Sequence, residues 1–131
     1  MGRFYVGCKV ENHKDPKRRS VVPRLLVDTG SDFTWIPDDV LKRIGVEPVK
    51  KDLQIQLANG QIVTRTVGYA ILRVDKYQTI DEVVFAQKGD LLLLGSRALE
   101  GMNLQVDARR KRLAAAGPIV AAPAKTRTIS L

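Results

Sequence analysis

The chain has 131 residues, a net charge of +8 and a single cysteine, with 44% hydrophobic and 27% charged residues. That length makes one domain able to bury a real core. Cys8 alone excludes an intrachain disulfide, so a reducing, cytoplasmic setting is expected. The longest stretch of low charge, 113–124, is too short to cross a bilayer and is broken by Gly117 and Pro118. The opening residues lack a signal-peptide pattern, and Val6 breaks a myristoylation pattern after Gly2, so no membrane partner is expected.

Residues 3–11 alternate, with Phe4, Val6, Cys8 and Val10 facing one way and Lys9 and Glu11 the other, as in a half-buried strand. The polar stretch 12–19 around Pro16 reads as a turn, and 20–27 as a second strand ending at Asp28-Thr29-Gly30-Ser31. Pro37-Asp38-Asp39 opens a short helix, with acids at its start, Lys42 and Arg43 in its last turn and Gly45 at its end; Val40, Leu41 and Ile44 form its buried face. Leu53, Ile55 and Leu57 alternate with glutamines up to Asn59-Gly60, and the alternation resumes at Ile62. Asn-Gly between two such runs predicts a hairpin, because both residues tolerate positive φ. Strands are expected at 69–74, 80–85 and 91–94, then a short helix over 96–100 closed by Gly101. A last strand pair at 104–106 and near Leu113 turns through the basic run 109–112. From Gly117 the Ala/Pro-rich composition predicts a frayed tail, giving a domain over 1–116 and a tail over 117–131.

The most telling residues follow the apolar run Leu25-Leu26-Val27. A carboxylate at the end of a buried strand is costly unless something holds it, and the glycine after it lets the backbone turn sharply. Residues 28–37, DTGSDFTWIP, resemble the active-site strand and turn of aspartic peptidases. Strand, Gly turn and short helix occur twice, at 25–45 and 91–101, and only the first copy carries an acid. This echo resembles the single-lobe, retroviral-type branch, and Leu93-Leu94-Gly95 is similar to that branch's later hydrophobic-hydrophobic-Gly signature. The resemblance spans about residues 3–116.

The resemblance implies an all-β, retropepsin-like single-lobe β-barrel with one or two short helices. It implies an endopeptidase in which Asp28 from each of two chains forms an acid pair across a homodimer, hydrolysing peptide or protein substrates through an activated water. Thr29 and Gly30 would form the active-site turn, Ser31 and Asp32 would face substrate, and the Asn59-Gly60 hairpin would close over it as a flap. Leu57 stands where pepsin-like flaps carry a Tyr, which leaves Trp35 as core or pocket wall. Ser96 replaces the Arg that retroviral enzymes place after the later Gly, with Arg97 one residue on, which leaves a supporting pair with Asp32 open.

No cofactor or metal is expected: Cys8 and His13 are too few for a zinc site, no third group orients them as a thiol dyad, and no phosphate-binding Gly loop occurs. The basic clusters at 14–19, 50–51 and 109–112 read as solvated turns. With few aromatics among them, a nucleic-acid partner has the net charge as its only support. The rival readings are a catalytically silent binding or dimerisation module on the same fold, and a basic nucleic-acid-associated domain.

Overall fold

The computed structural model describes residues 3–118. Nine strands and two six-residue helices follow one another as β1 (Tyr5–Glu11), β2 (Arg19–Val27), β3 (Thr34–Pro37), α1 (Asp38–Arg43), β4 (Pro48–Gln56), β5 (Ile62–Val74), β6 (Tyr77–Ala86), β7 (Leu93–Leu94), α2 (Ser96–Gly101), β8 (Leu104–Asp107) and β9 (Arg112–Ala115). The all-β expectation with two short helices holds. Of the expected tail, all but Gly117 and Pro118 lies outside the described residues.

Seven strands form one sheet in the order β1-β2-β7-β3-β6-β5-β4. Two of its contacts are parallel, β2 with β7 and β3 with β6, as crossing strand–turn–helix units require. The thirteen-residue β5 serves two neighbours along one edge: residues 62–68 pair with β4, and 71–73 pair with β1. The sheet therefore curls back on itself. It is not a closed barrel, because β7 offers only two residues and meets β3 through the one pair Trp35–Leu93. The run 91–94 is accordingly not the continuous buried strand its composition suggests; Leu91 is 62% exposed, and only Leu93 and Leu94 enter the sheet.

Two apolar clusters fill the fold. The larger gathers Val10, Leu25, Ile36, Leu41, Leu72, Phe85, Leu94 and Leu99 beneath the helices. The smaller, of Leu26, Trp35, Val67, Val84, Ala86 and Leu93, lies beneath the β4–β5 hairpin. Helix α1 forms as its sequence predicts, with Lys42 paired to Asp38 at 3.0 Å and Leu41 and Ile44 buried. Its last carbonyls are satisfied from the β1–β2 loop: Asn12 Nδ2 donates to Ile44 O and Gly45 O at 2.9 and 3.0 Å, and Arg18 Nη2 donates to Arg43 O at 3.2 Å.

Glu11 departs from the alternation read in the sequence. It is 2% exposed, and its Oε2 accepts from Arg73 Nε at 2.8 Å. A buried carboxylate survives there because a guanidinium on the adjoining strand compensates it. Cys8 is buried as expected, and burial pushes its thiol up to about 12, which leaves it unreactive.

Candidate active site

Asp28 sits one residue beyond the end of β2, at the level where the parallel strand β7 gives way to Gly95. Its amide donates to Leu94 O at 3.0 Å, and its Oδ1 accepts from Gly30 N at 3.0 Å. Ser31 N donates to Asp28 O at 3.3 Å, which closes the turn. Among the described residues this one amide is the carboxylate's only hydrogen-bond partner. The remaining lone pairs open into a cleft of about 730 Å³. A carboxylate oriented by one fixed donor and otherwise open to the cleft can hold and deprotonate a water.

The second strand–turn–helix unit holds the first in place. Ser96 N donates to Ser31 O at 2.7 Å, Arg97 N to Asp32 O at 3.3 Å, and Gly95 N to the buried Thr34 hydroxyl at 3.0 Å. Gly95 is required by contact, not by its dihedrals: a Cβ there would collide with the carbonyl oxygen of Phe33 and lie 2.8 Å from that of Asp32. Sequence reading did not single out Thr34, whose hydroxyl is the only side-chain partner in this clamp.

Above the turn stands the β4–β5 hairpin. Leu53, Ile55 and Leu57 line the cleft from one side, Phe33, Trp35 and Leu93 from the other. Trp35 is both core and wall: it is nearly buried in the smaller cluster and contributes to the cleft surface. The tip differs from a two-residue Asn-Gly turn. Gly60 N donates to Leu57 O at 2.9 Å and Leu57 N to Gln61 O at 2.8 Å, with positive φ at Gly60 (87°) but not at Asn59. This is a turn over 57–60 with glycine supplying the left-handed residue, while Asn59 Oδ1 accepts from Gln61 N at 2.9 Å.

Asp28, Gly30, Ser31, Asp32 and Asn59 all border the one cleft; Thr29 and Gly60 are exposed beside it, and Thr29 has no side-chain partner among the described residues. Asp32 and Arg97 meet only through backbone atoms. The Arg97 guanidinium lies 5.4 Å from the centre of the Phe33 ring and 3.8 Å from Glu82 Oε1, and Glu82 also takes Lys50 at 3.0 Å.

A pair that sequence reading missed ties the hairpin to the opposite wall. Arg65 on β5 grips Asp90, in the loop before β7, with Nε–Oδ2 at 2.8 Å and Nη2–Oδ1 at 2.7 Å, and Gln87 N adds a third bond to Oδ2 at 2.7 Å. The side chains are only 16% and 12% exposed. The hydrogen bonds from Arg65 hold the Asp90 carboxyl below the usual carboxylate range. No local signal marks this contact, because the partners lie 25 positions apart.

Among the described residues no cluster of His, Cys, Asp and Glu could hold a metal ion. No helix among the described residues is long and apolar enough to cross a membrane. No curated protein matches the chain. The family model for aspartyl proteases, of the retropepsin type, matches residues 18–98, which run from the approach to β2 through the Asp28 turn and the hairpin into α2. With its acid turn at the floor of the cleft and that match over more than half its length, the chain belongs to the aspartyl protease family.

Proposed function

We propose that the chain is an aspartic endopeptidase that works as a homodimer in the cytoplasm, each copy contributing its Asp28. The observation that carries this reading is the Asp28 carboxylate, held by a single amide on a cleft that Phe33, Trp35, Leu53, Ile55, Leu57 and Leu93 also line. One carboxylate cannot act as base and acid in the same step. Two brought together share one proton and titrate as a pair: the ionised member takes a proton from water as it attacks the scissile carbonyl, and the protonated member donates to that carbonyl's oxygen. Thr29, exposed and without a side-chain partner among the described residues, would bond across the twofold axis to hold the two turns together. Gly30 would offer its carbonyl to the substrate backbone. The hairpin tip at Asn59 and Gly60 would close over an extended peptide, with Ser31 and Asp32 at the rim, and exclude bulk water.

The test is Asp28→Asn, nearly isosteric but unable to serve as base, assayed on a mixed peptide library across several pH values. The variant should keep its circular dichroism spectrum and lose cleavage. Excess variant mixed into the parent protein should suppress activity, since each mixed dimer holds one competent acid. A folded variant that cleaves as well as the parent would refute the reading, as would full activity from a species that light scattering shows to be monomeric. A parent protein that cleaves no peptide at any pH would favour the binding-module alternative.

A further inference from the structure

The loop between β1 and β2 carries Lys14, Lys17 and Arg18, Arg19 opens β2, and the fold divides these cations into two groups. Lys14 pairs with Glu47 at 3.1 Å, and Arg18 caps α1. Lys17 and Arg19 make no ion pair or side-chain hydrogen bond among the described residues. They border a concavity of about 500 Å³ together with Lys9, Arg73, Glu11 and Asp75.

The strand register explains how this charge accumulates. Lys9 of β1 stands directly opposite Arg73 of β5, and Glu11 stands opposite Arg19 of β2. Residues paired across a sheet share a face, so Lys9, Glu11, Arg19 and Arg73 project from the same side. Like charges directly opposite one another destabilise a sheet, and the Lys9–Arg73 pair therefore needs compensation. Glu11 supplies part of it. Its buried carboxylate takes Arg73 Nε, which fixes the guanidinium and leaves its terminal nitrogens without an in-chain partner among the described residues. Four cations against Glu11 and Asp75 leave an excess of two positive charges in the concavity.

We propose that this concavity is a binding site for a phosphate monoester. An arginine oriented from behind by a buried carboxylate presents a fork suited to two oxygens of one group, and flanking ammonium groups complete the neutralisation. The excess charge matches a dianion, whereas a single carboxylate or sulfate monoester would leave a cation unsatisfied. The site is separate from the cleft: Arg19 begins β2 and Asp28 follows its end, about 25–30 Å away at the rise of a strand. It stands whether or not the chain proves to be a peptidase.

The test titrates the full chain with phenyl phosphate and follows backbone amide shifts by NMR, with phenyl sulfate and an oligothymidylate at matched ionic strength. Saturable shifts at Lys9, Arg19 and Arg73, with Asp28 and Gly30 unmoved, are expected. Because Arg73→Met would strand the buried Glu11 carboxylate, the variants are Lys9→Met and Arg19→Met. Each should weaken phenyl phosphate about tenfold, and phenyl sulfate should bind the parent weaker by a similar factor. The control Lys14→Met removes one charge from a cation already paired and should change affinity by less than about twofold. Three results would overturn the proposal: shifts scattered over every basic surface, equal weakening by the control, or tighter, steeply salt-dependent binding of oligothymidylate at the same face, which would assign the site to a nucleic-acid backbone.

Discussion

Replacing Gly95 with alanine perturbs the turn that carries Asp28 without touching the acid. The added methyl group would meet three backbone atoms, Phe33 O, Phe33 C and Asp32 O, the last at 2.8 Å. None can swing aside as a side chain would. Ordinary contact begins near 3.4 Å, so the 31–34 segment must retreat by at least about half an ångström. That motion stretches the Ser96–Ser31, Arg97–Asp32 and Gly95–Thr34 hydrogen bonds together. Overpacking of this kind costs about 1–3 kcal/mol, a fall of roughly 3–15 °C in thermal midpoint for a domain of this size. Because a displacement near 1 Å at reacting groups can cost about a hundredfold in rate, cleavage should fall further than stability alone explains. The comparison is Gly7→Ala, where the new methyl finds Pro23 O at an ordinary 3.5 Å and the midpoint should barely move. Thermal denaturation by circular dichroism and peptide cleavage, run on both variants, make the assay. If Gly95→Ala melts with the parent and cleaves at the parental rate, the clamp between the two units does not hold the acid turn.

Asp90→Asn should destabilise the native state by about 2 kcal/mol at neutral pH, since hydrogen bonds to a charged partner are lost. The native carboxyl titrates below its unfolded value, so the pair stabilises above about pH 4 and is lost as pH falls through the depressed native value; urea midpoints of parent and variant should converge in acid. Asp81→Asn should do the reverse at neutral pH. Asp81 Oδ2 is buried without a partner among the described residues and burial pushes its carboxyl up, so removing the charge should stabilise above the native value, with the gain vanishing as pH drops toward the unfolded one. An Asp81→Asn variant that is weaker at pH 7 would contradict this. Gly60→Val meets no neighbour, but the 87° φ disfavours a β-branched residue; turnover should slow several-fold while light scattering shows an unchanged assembly. An unchanged rate would reduce the hairpin to scaffold.

What the sequence disclosed and what it hid divide along the range of the interactions. The Asp28 turn, α1 and the β4–β5 hairpin are specified by neighbours in the chain: an apolar strand before Asp-Thr-Gly, acids and bases at the proper helix ends, Asn-Gly between alternating runs. Each carries its own signal. Glu11 reads as solvent-facing because alternation knows only the strand it lies on, while its partner Arg73 arrives from 62 positions away. Arg65 and Asp90 are silent for the same reason. The basic loop reads as a solvated turn, and for Lys14 that is right; for Arg18, a helix cap, and for Lys17 and Arg19, at a groove, only the tertiary fold assigns the role. Leu91 misleads differently: four leucines in a row suggest burial, yet the parallel pairing with β2 engages only Leu93 and Leu94.

The internal echo explains why the second unit carries no acid at the place where the first carries Asp28. Leu26 and Val27 lie in register with Leu93 and Leu94, so Asp28 lies level with Gly95. An acid at the equivalent place in the second unit would have to grow from that position, and even a methyl group there meets the Phe33 carbonyl. One residue earlier, Leu94 is fully buried in the larger cluster, where an ionised side chain would lack any partner. The second unit therefore serves by its backbone: Leu94 O receives the Asp28 amide, and the amides of Gly95, Ser96 and Arg97 brace the turn. The same strand–turn–helix plan thus supplies the acid in its first use and the brace in its second. On the proposed reading, the second acid of the pair would come from another copy.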